Sequence, residues 1–194
     1  MREFFLEYFQ DLKNVLDKIN LDNFNEINKL LFGALDDGKQ IFTMGNGGSG
    51  STASHLISDL NKGVCFDHRK RFKAICLNDS IPTILSYAND ISYSDVFVEQ
   101  LKNFMDKGDI VIGFSTSGNS ENVLKAVEYS NENMGITVGF SGFDGGKLAE
   151  IVKHSIVVPI DDMQKSEDVH LILCHLIMQT MMKMGLEKGV GIMG

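Results

Sequence analysis

The stretch Gln40-Ile41-Phe42-Thr43-Met44-Gly45-Asn46-Gly47-Gly48-Ser49-Gly50-Ser51-Thr52 passes from a short apolar run straight into glycine and hydroxyl residues. Such a run closed by glycine reads as a buried strand, and the segment behind it, carrying Ala53, His55, Leu56 and Ile57, reads as a helix. The same pattern recurs at residues 72–77, 110–114, 136–140 and 155–160. Five strands alternating with helices predict an α/β protein with a five-stranded parallel sheet flanked by helices, a flavodoxin-like three-layer sandwich. Near-continuous apolar strands fit a sheet covered on both faces.

Upstream, Phe4, Phe5, Tyr8, Phe9, Leu12, Val15, Leu16 and Ile19 recur at helical spacing, as do Phe24, Ile27, Leu30, Leu31 and Leu35 ahead of Gly38. Residues 1–37 are thus expected to form two N-terminal amphipathic helices. The first is apolar over an arc wider than one packing face needs, which points to contacts with another subunit. Downstream, a last helix is expected over about residues 166–184, with Met178, Met181, Met182 and Met184 as adaptable apolar filling. The glycine-rich tail, residues 186–194, is expected to fray. Only Pro82 and Pro159 interrupt the chain, and no repeat or low-complexity linker divides it, so residues 1–194 read as one domain.

The 194 residues carry 18 Lys and Arg against 26 Asp and Glu, a net charge of −8, with 43% apolar residues. That balance excludes a disordered or collagenous chain, and an acidic chain without long basic runs argues against nucleic acid as a partner. Cys65, Cys76 and Cys174 are widely spaced, form no CxxC pair and follow no secretory leader, as expected of a reduced cytoplasmic protein. No apolar run approaches the roughly 18 residues of a membrane span.

In an open parallel sheet, ligands sit beyond the carboxyl ends of the strands. Two loops there stand out: Gly45-Asn46-Gly47-Gly48-Ser49-Gly50-Ser51-Thr52 and Ser115-Thr116-Ser117-Gly118-Asn119-Ser120. Glycine lets the backbone approach a ligand, free N–H groups and the dipole of the following helix favour an anion, and the hydroxyls add neutral donors. Neither loop contains Lys or Arg, which suits a phosphate monoester that is released again. Gly45, Gly47 and Gly50 satisfy GxGxxG, but the acidic residue wanted about 20 positions on comes late, at Asp79, so a dinucleotide is disfavoured. Neither GxSxG nor GK[ST] is present.

His55 and Asp59 lie four apart on one helix face, placed as metal ligands or an acid–base pair. The last helix carries Glu167, His170 and His175. Glu167 and His175 are separated by roughly 12 Å along the axis, and His170 and His175 by about 140° around it. His170 therefore reads as structural. Glu167 and His175 share a site only if ligands stretch along the helix or another subunit contributes.

These residues together resemble the phosphoheptose isomerases of the sugar isomerase (SIS) fold, over nearly the whole chain. The resemblance implies that phosphate rests on Ser49, Ser115, Thr116, Ser117 and Ser120, that Asn46, Gly47 and Gly48 bind substrate, and that Asn89 and Asp90 approach the sugar. It implies a homotetramer with sites between subunits. It also implies zinc bound through two His, a Glu and a Gln, which correspond here to His55, His175, Asp59 and Glu167. The swaps at Asp59 and Glu167 leave two His and two carboxylates, still a good zinc set. The implied activity is an aldose–ketose isomerase working on sedoheptulose 7-phosphate through a cis-enediol. Asp59 or Glu167 serves as base and His175 moves protons among oxygens. The alternatives are a non-catalytic SIS sugar-phosphate sensor, a replication-initiation partner of the DiaA type, and an isomerase of another sugar phosphate.

Overall fold

Strands that are apolar at successive positions have no face to give to water, so they pair only where helices cover both sides. The computed structural model, which describes residues 1–65 and 70–187, has this arrangement. β1 (Gln40–Gly45), β2 (Lys73–Cys76), β3 (Ile110–Ser115), β4 (Ile136–Gly142) and β5 (His154–Val158) form a parallel sheet in the order β2-β1-β3-β4-β5. The helices are α1 (Arg2–Leu16), α2 (Leu21–Asp37), α3 (Gly47–Ser58), α4 (Ile81–Asp90), α5 (Val98–Phe104), α6 (Glu121–Glu132), α7 (Gly146–Ile151) and α8 (Met163–Glu187). No helix among the described residues is long and apolar enough to cross a membrane.

Alternate strand residues go to opposite layers. Ile41, Ile112, Phe114 and Phe140 pack with Phe24, Ile27 and Leu31 of α2, Leu56 of α3, and Val169, Leu173 and Ile177 of α8. Phe42, Met44 and Val111 pack on the other side with Leu101 of α5, Val123 and Val127 of α6, and Leu148 of α7. Each such side chain contributes about 1.5–3 kcal/mol on full burial. α1 lies over α8: Tyr8 Oη donates to Asp168 Oδ2 at 2.5 Å, and Lys165 Nζ pairs with Asp11 Oδ2 at 2.7 Å.

The chain leaves β1 toward β2 on one side, while β3 lies on the other. The strand order therefore reverses between β1 and β3, and the crevice beyond their carboxyl ends is where ligands of such sheets bind. Gly45 is in register with Phe114, which brings the two glycine and hydroxyl loops side by side.

Most strand ends differ from the sequence reading by one or two residues, and three differences bear on the site and its surroundings. β5 stops at Val158 rather than residue 160, because Pro159 has no N–H to donate. α8 begins at Met163 and runs to Glu187, past Gly185; the rest of the expected tail, residues 188–194, lies outside the described residues. α3 ends at Ser58, and Asp59 opens a π-helical segment, Asp59–Val64.

Candidate active site

α3 starts directly at the end of β1, and α6 follows β3 after the Ser115–Ser120 loop, so two helix N-termini meet over the sheet edge. Between them is a cleft of about 160 Å³ lined by Asn46, Ser49, Ser115, Thr116, Ser117, Ser120, Phe114, Met163 and Glu167. Ser49 Oγ lies 3.4 Å from Thr116 Oγ1, and Ser115 Oγ donates to Ser120 Oγ at 2.9 Å. The hydroxyls thus line the cleft as two hydrogen-bonded pairs. The Ser115–Ser120 loop turns at Gly118, whose φ of 66° and whose approach to the backbone of Gly145 and Gly146 leave no room for a side chain. Leu148 N donates to Gly118 O at 2.8 Å, tying the turn to α7.

Among the described residues, the one ionisable side chain lining this cleft is Glu167. Its carboxylate lies over Gly48: a Cβ there would be 2.7 Å from Glu167 Cδ and Oε1, and nearer still to Oε2. An acidic group beside the first turn of α3 is favoured by the helix dipole. An alanine at Gly48 would therefore displace that carboxylate.

His55, Asp59 and His175 come together at the α3–α8 contact. His55 Nε2 lies 2.9 Å from His175 Nε2 and 3.5 Å from Asp59 Oδ2, and all three ligand atoms fall within 4.8 Å of one another. Asp59 Oδ2 is buried with no hydrogen-bond partner, a costly state that a bound cation relieves. The two separations bracket the roughly 3.3 Å edge of a tetrahedral zinc shell with bonds of about 2.0–2.1 Å. Two imidazole nitrogens and a carboxylate oxygen therefore fit a metal ion. Glu167, expected as a fourth ligand, does not belong to this group in the chain; it stands eight residues back along α8, at the cleft.

His170 is fully buried and meets the stacked Phe114 and Phe140 rings edge-on, 6.0 Å from each, with Nε2 3.2 Å from Ser141 O. Burial pushes its pKa down to about 4, so it is neutral and structural at pH 7. Asn89 and Asp90 lie exposed at the end of α4, bonded to each other at 2.7 Å, and do not line the cleft of their own chain. Two residues went unnoticed in the sequence. Tyr93 Oη donates to Asn46 Oδ1 at 2.8 Å, and the buried Asn122 pairs with the Asn46 amide at 2.9 Å. The available signal was a buried polar residue at the start of an otherwise apolar face, Val123, Ala126 and Val127.

Residues 7–142 match the SIS domain family. The phosphoheptose isomerase of Helicobacter pylori is 37% identical over 148 residues, 76% of this chain and 77% of that one. The phosphoheptose isomerase of Geotalea daltonii is 38% identical over 149 residues, 77% of each. The solved structure of a phosphoheptose isomerase from Neisseria gonorrhoeae superposes with a TM-score of 0.84 at 26% identity, covering 93% of this chain and 95% of that one. A cleft at the strand-order reversal, the hydroxyl loops and this similarity agree: the chain belongs to the phosphoheptose isomerase family of SIS-domain proteins.

Proposed function

We propose that this chain interconverts sedoheptulose 7-phosphate and D-glycero-D-manno-heptose 7-phosphate through a cis-enediol. One observation carries the reading: a carboxylate, Glu167, lines the same cleft as the neutral donors of two helix N-termini. The phosphate rests on Ser49, Ser115, Thr116, Ser117 and Ser120 with the first-turn N–H groups of α3, beside Asn46, Gly47 and Gly48. Anchoring there converts an encounter of flexible sugar and base into a reaction within one complex. Glu167 takes the proton from C1 of the ketose while the C2 carbonyl oxygen gains a proton from solvent, leaving the cis-enediol; the O1 hydroxyl then loses its proton to solvent as Glu167 returns a proton to C2, so that O1 becomes the aldehyde oxygen of the aldose. Asp59 is the other carboxylate within the site and the alternative base.

Zinc, held by His55, Asp59 and His175, would supply Lewis-acid stabilisation of negative charge on the sugar oxygens. With Nε2 of His175 turned to His55 and Asp59, that imidazole is a ligand before it is a proton carrier. The asymmetry between Glu167 in the cleft and Asp59 beside the imidazoles supports dividing the roles in this way.

A homotetramer with sites between subunits is supported by the solvent-exposed Phe4, Phe5, Leu6 and Phe9 on α1 and by Ile81, Leu85 and Ile91 along α4, next to Asn89 and Asp90. Sedimentation equilibrium should return four chain masses. Three buried free cysteines fit a reducing cytoplasm.

Turnover of sedoheptulose 7-phosphate by Glu167→Gln and Asp59→Asn tests the chemistry. Loss of a general base should lower kcat about 10²–10⁴-fold. Wild-type turnover in both variants would exclude a carboxylate mechanism.

A further inference from the structure

An asparagine at a helix N-cap ordinarily turns its side-chain oxygen back to accept from the second or third N–H of the helix. Asn46 occupies that position on α3, with an extended backbone of φ −108° and ψ 150°, yet makes no such bond. Its Oδ1 is engaged twice: Tyr93 Oη donates to it at 2.8 Å and Asn122 Nδ2 at 2.9 Å. Asn46 Nδ2 donates in return to Asn122 Oδ1 at 2.9 Å. A carbonyl oxygen has two lone pairs, so this one has no acceptor capacity left for the helix. The first intrahelical bond of α3 runs from Gly50 N to Asn46 O at 3.1 Å. The N–H groups of Gly47, Gly48 and Ser49 precede that ladder and have no helical acceptor.

On α6 the first-turn N–H of Val123 is taken by Asn122 Oδ1 at 3.0 Å. The N-cap of α6, Ser120, makes no side-chain cap bond, and its Oγ accepts from Ser115 Oγ instead. Asn122 is only 2% exposed and sits in the first turn of α6. The Asn46–Asn122 pair therefore joins the two helix N-termini that form the cleft.

We propose that Asn122 and Tyr93 are positioning residues of the anion site. By occupying Asn46 Oδ1 they hold back the side chain that would cap α3, and so keep its first-turn N–H groups free for the substrate phosphate. The inference rests on the isomerase reading in one respect, that a phosphate binds at this cleft. When either donor is removed, Asn46 regains an acceptor lone pair, turns onto the helix and competes with the ligand for the same N–H groups.

Calorimetric titration of inorganic phosphate into wild type, Asn122→Ala, Tyr93→Phe, and each of these combined with Asn46→Ala tests the idea. Losing a competition against a typical cap should weaken phosphate binding roughly fivefold in Asn122→Ala and about twofold in Tyr93→Phe. With sedoheptulose 7-phosphate the single variants should raise KM and keep kcat. Adding Asn46→Ala should recover most of the lost phosphate affinity, because the competing side chain is gone; a structural role gives no such rescue. Unchanged phosphate binding in both single variants overturns the proposal, and so does a double variant that binds more weakly than its single parent. Where Asn122→Ala does not fold, the surface variant Tyr93→Phe and its double decide. Wild-type protein that binds no phosphate is a separate outcome, which counts against the isomerase reading itself.

Discussion

Gly48→Ala separates the stability of the first turn of α3 from the position of Glu167. Gly48 lies within the helix and not in the left-handed region, so alanine suits its backbone and gains up to about 1 kcal/mol of helix propensity. For a chain of this size that raises the melting temperature by roughly 2–4 °C. The new Cβ, however, would stand 2.7 Å from Glu167 Cδ and Oε1, where ordinary contact begins at 3.4 Å. The carboxylate must retreat by about 1 Å, and a misplacement of that size in a catalytic group can cost on the order of 10²-fold in rate. The assay is kcat/KM for sedoheptulose 7-phosphate beside thermal unfolding of the same sample. A control removes the clash: in a Glu167→Ala background, Gly48→Ala should cost nothing more, since two changes acting through one contact are not additive. Gly48→Ala with near wild-type activity would refute the reasoning, as would a further loss in the Glu167→Ala background.

The Ser115–Ser120 turn offers a second test. Gly118→Ala forces a side chain into a φ of 66° and against the Gly145 and Gly146 backbone, so it should cost more than about 1 kcal/mol and lower the melting temperature by several degrees; an unchanged melting temperature contradicts the packing. Burial lowers the His170 pKa to about 4 from 6.5. The unfolded chain therefore holds the extra proton between those values. Stability should be full above pH 6.5 and fall as pH drops, by up to about 1.4 kcal/mol per pH unit and about 3 kcal/mol in all by pH 4. His170→Gln, which keeps a donor for Ser141 O, should flatten that slope in denaturant titrations; an unchanged slope assigns the pH dependence elsewhere. Zinc at a hundred times its Kd should stabilise wild type by about 2.7 kcal/mol, and Asp59→Asn or His175→Ala should abolish the shift; equal shifts in all three remove the site from His55, Asp59 and His175.

The sheet was legible because its strands are largely apolar at consecutive positions and each is closed by Gly, Ser, Pro or, after β2, Asn78, a local signal that packing then enforces. The two loops were legible for the same reason, and the order β2-β1-β3 made them neighbours. His55 and Asp59 could be paired from their i, i+4 spacing, and the separation of Glu167 from His175 follows from helix rise alone. The seat of Glu167 over Gly48 was not legible, since it depends on how far α8 slides along α3. Asn122 and Tyr93 reach Asn46 from 76 and 47 residues away, and a polar pair across such distances leaves no periodic trace. The π-helical turn opening at Asp59 has no signature in apolar spacing either.

The most direct measurement is the fate of hydrogen when purified protein is incubated with sedoheptulose 7-phosphate in D2O. Proton transfer through an enediol exposed to solvent predicts deuterium at C2 of the heptose 7-phosphate formed, and its loss together with turnover in Glu167→Gln. Equal incorporation by Glu167→Gln would contradict a carboxylate in the cleft carrying the proton, and conversion by wild type without any deuterium at C2 would contradict an enediol that exchanges with solvent.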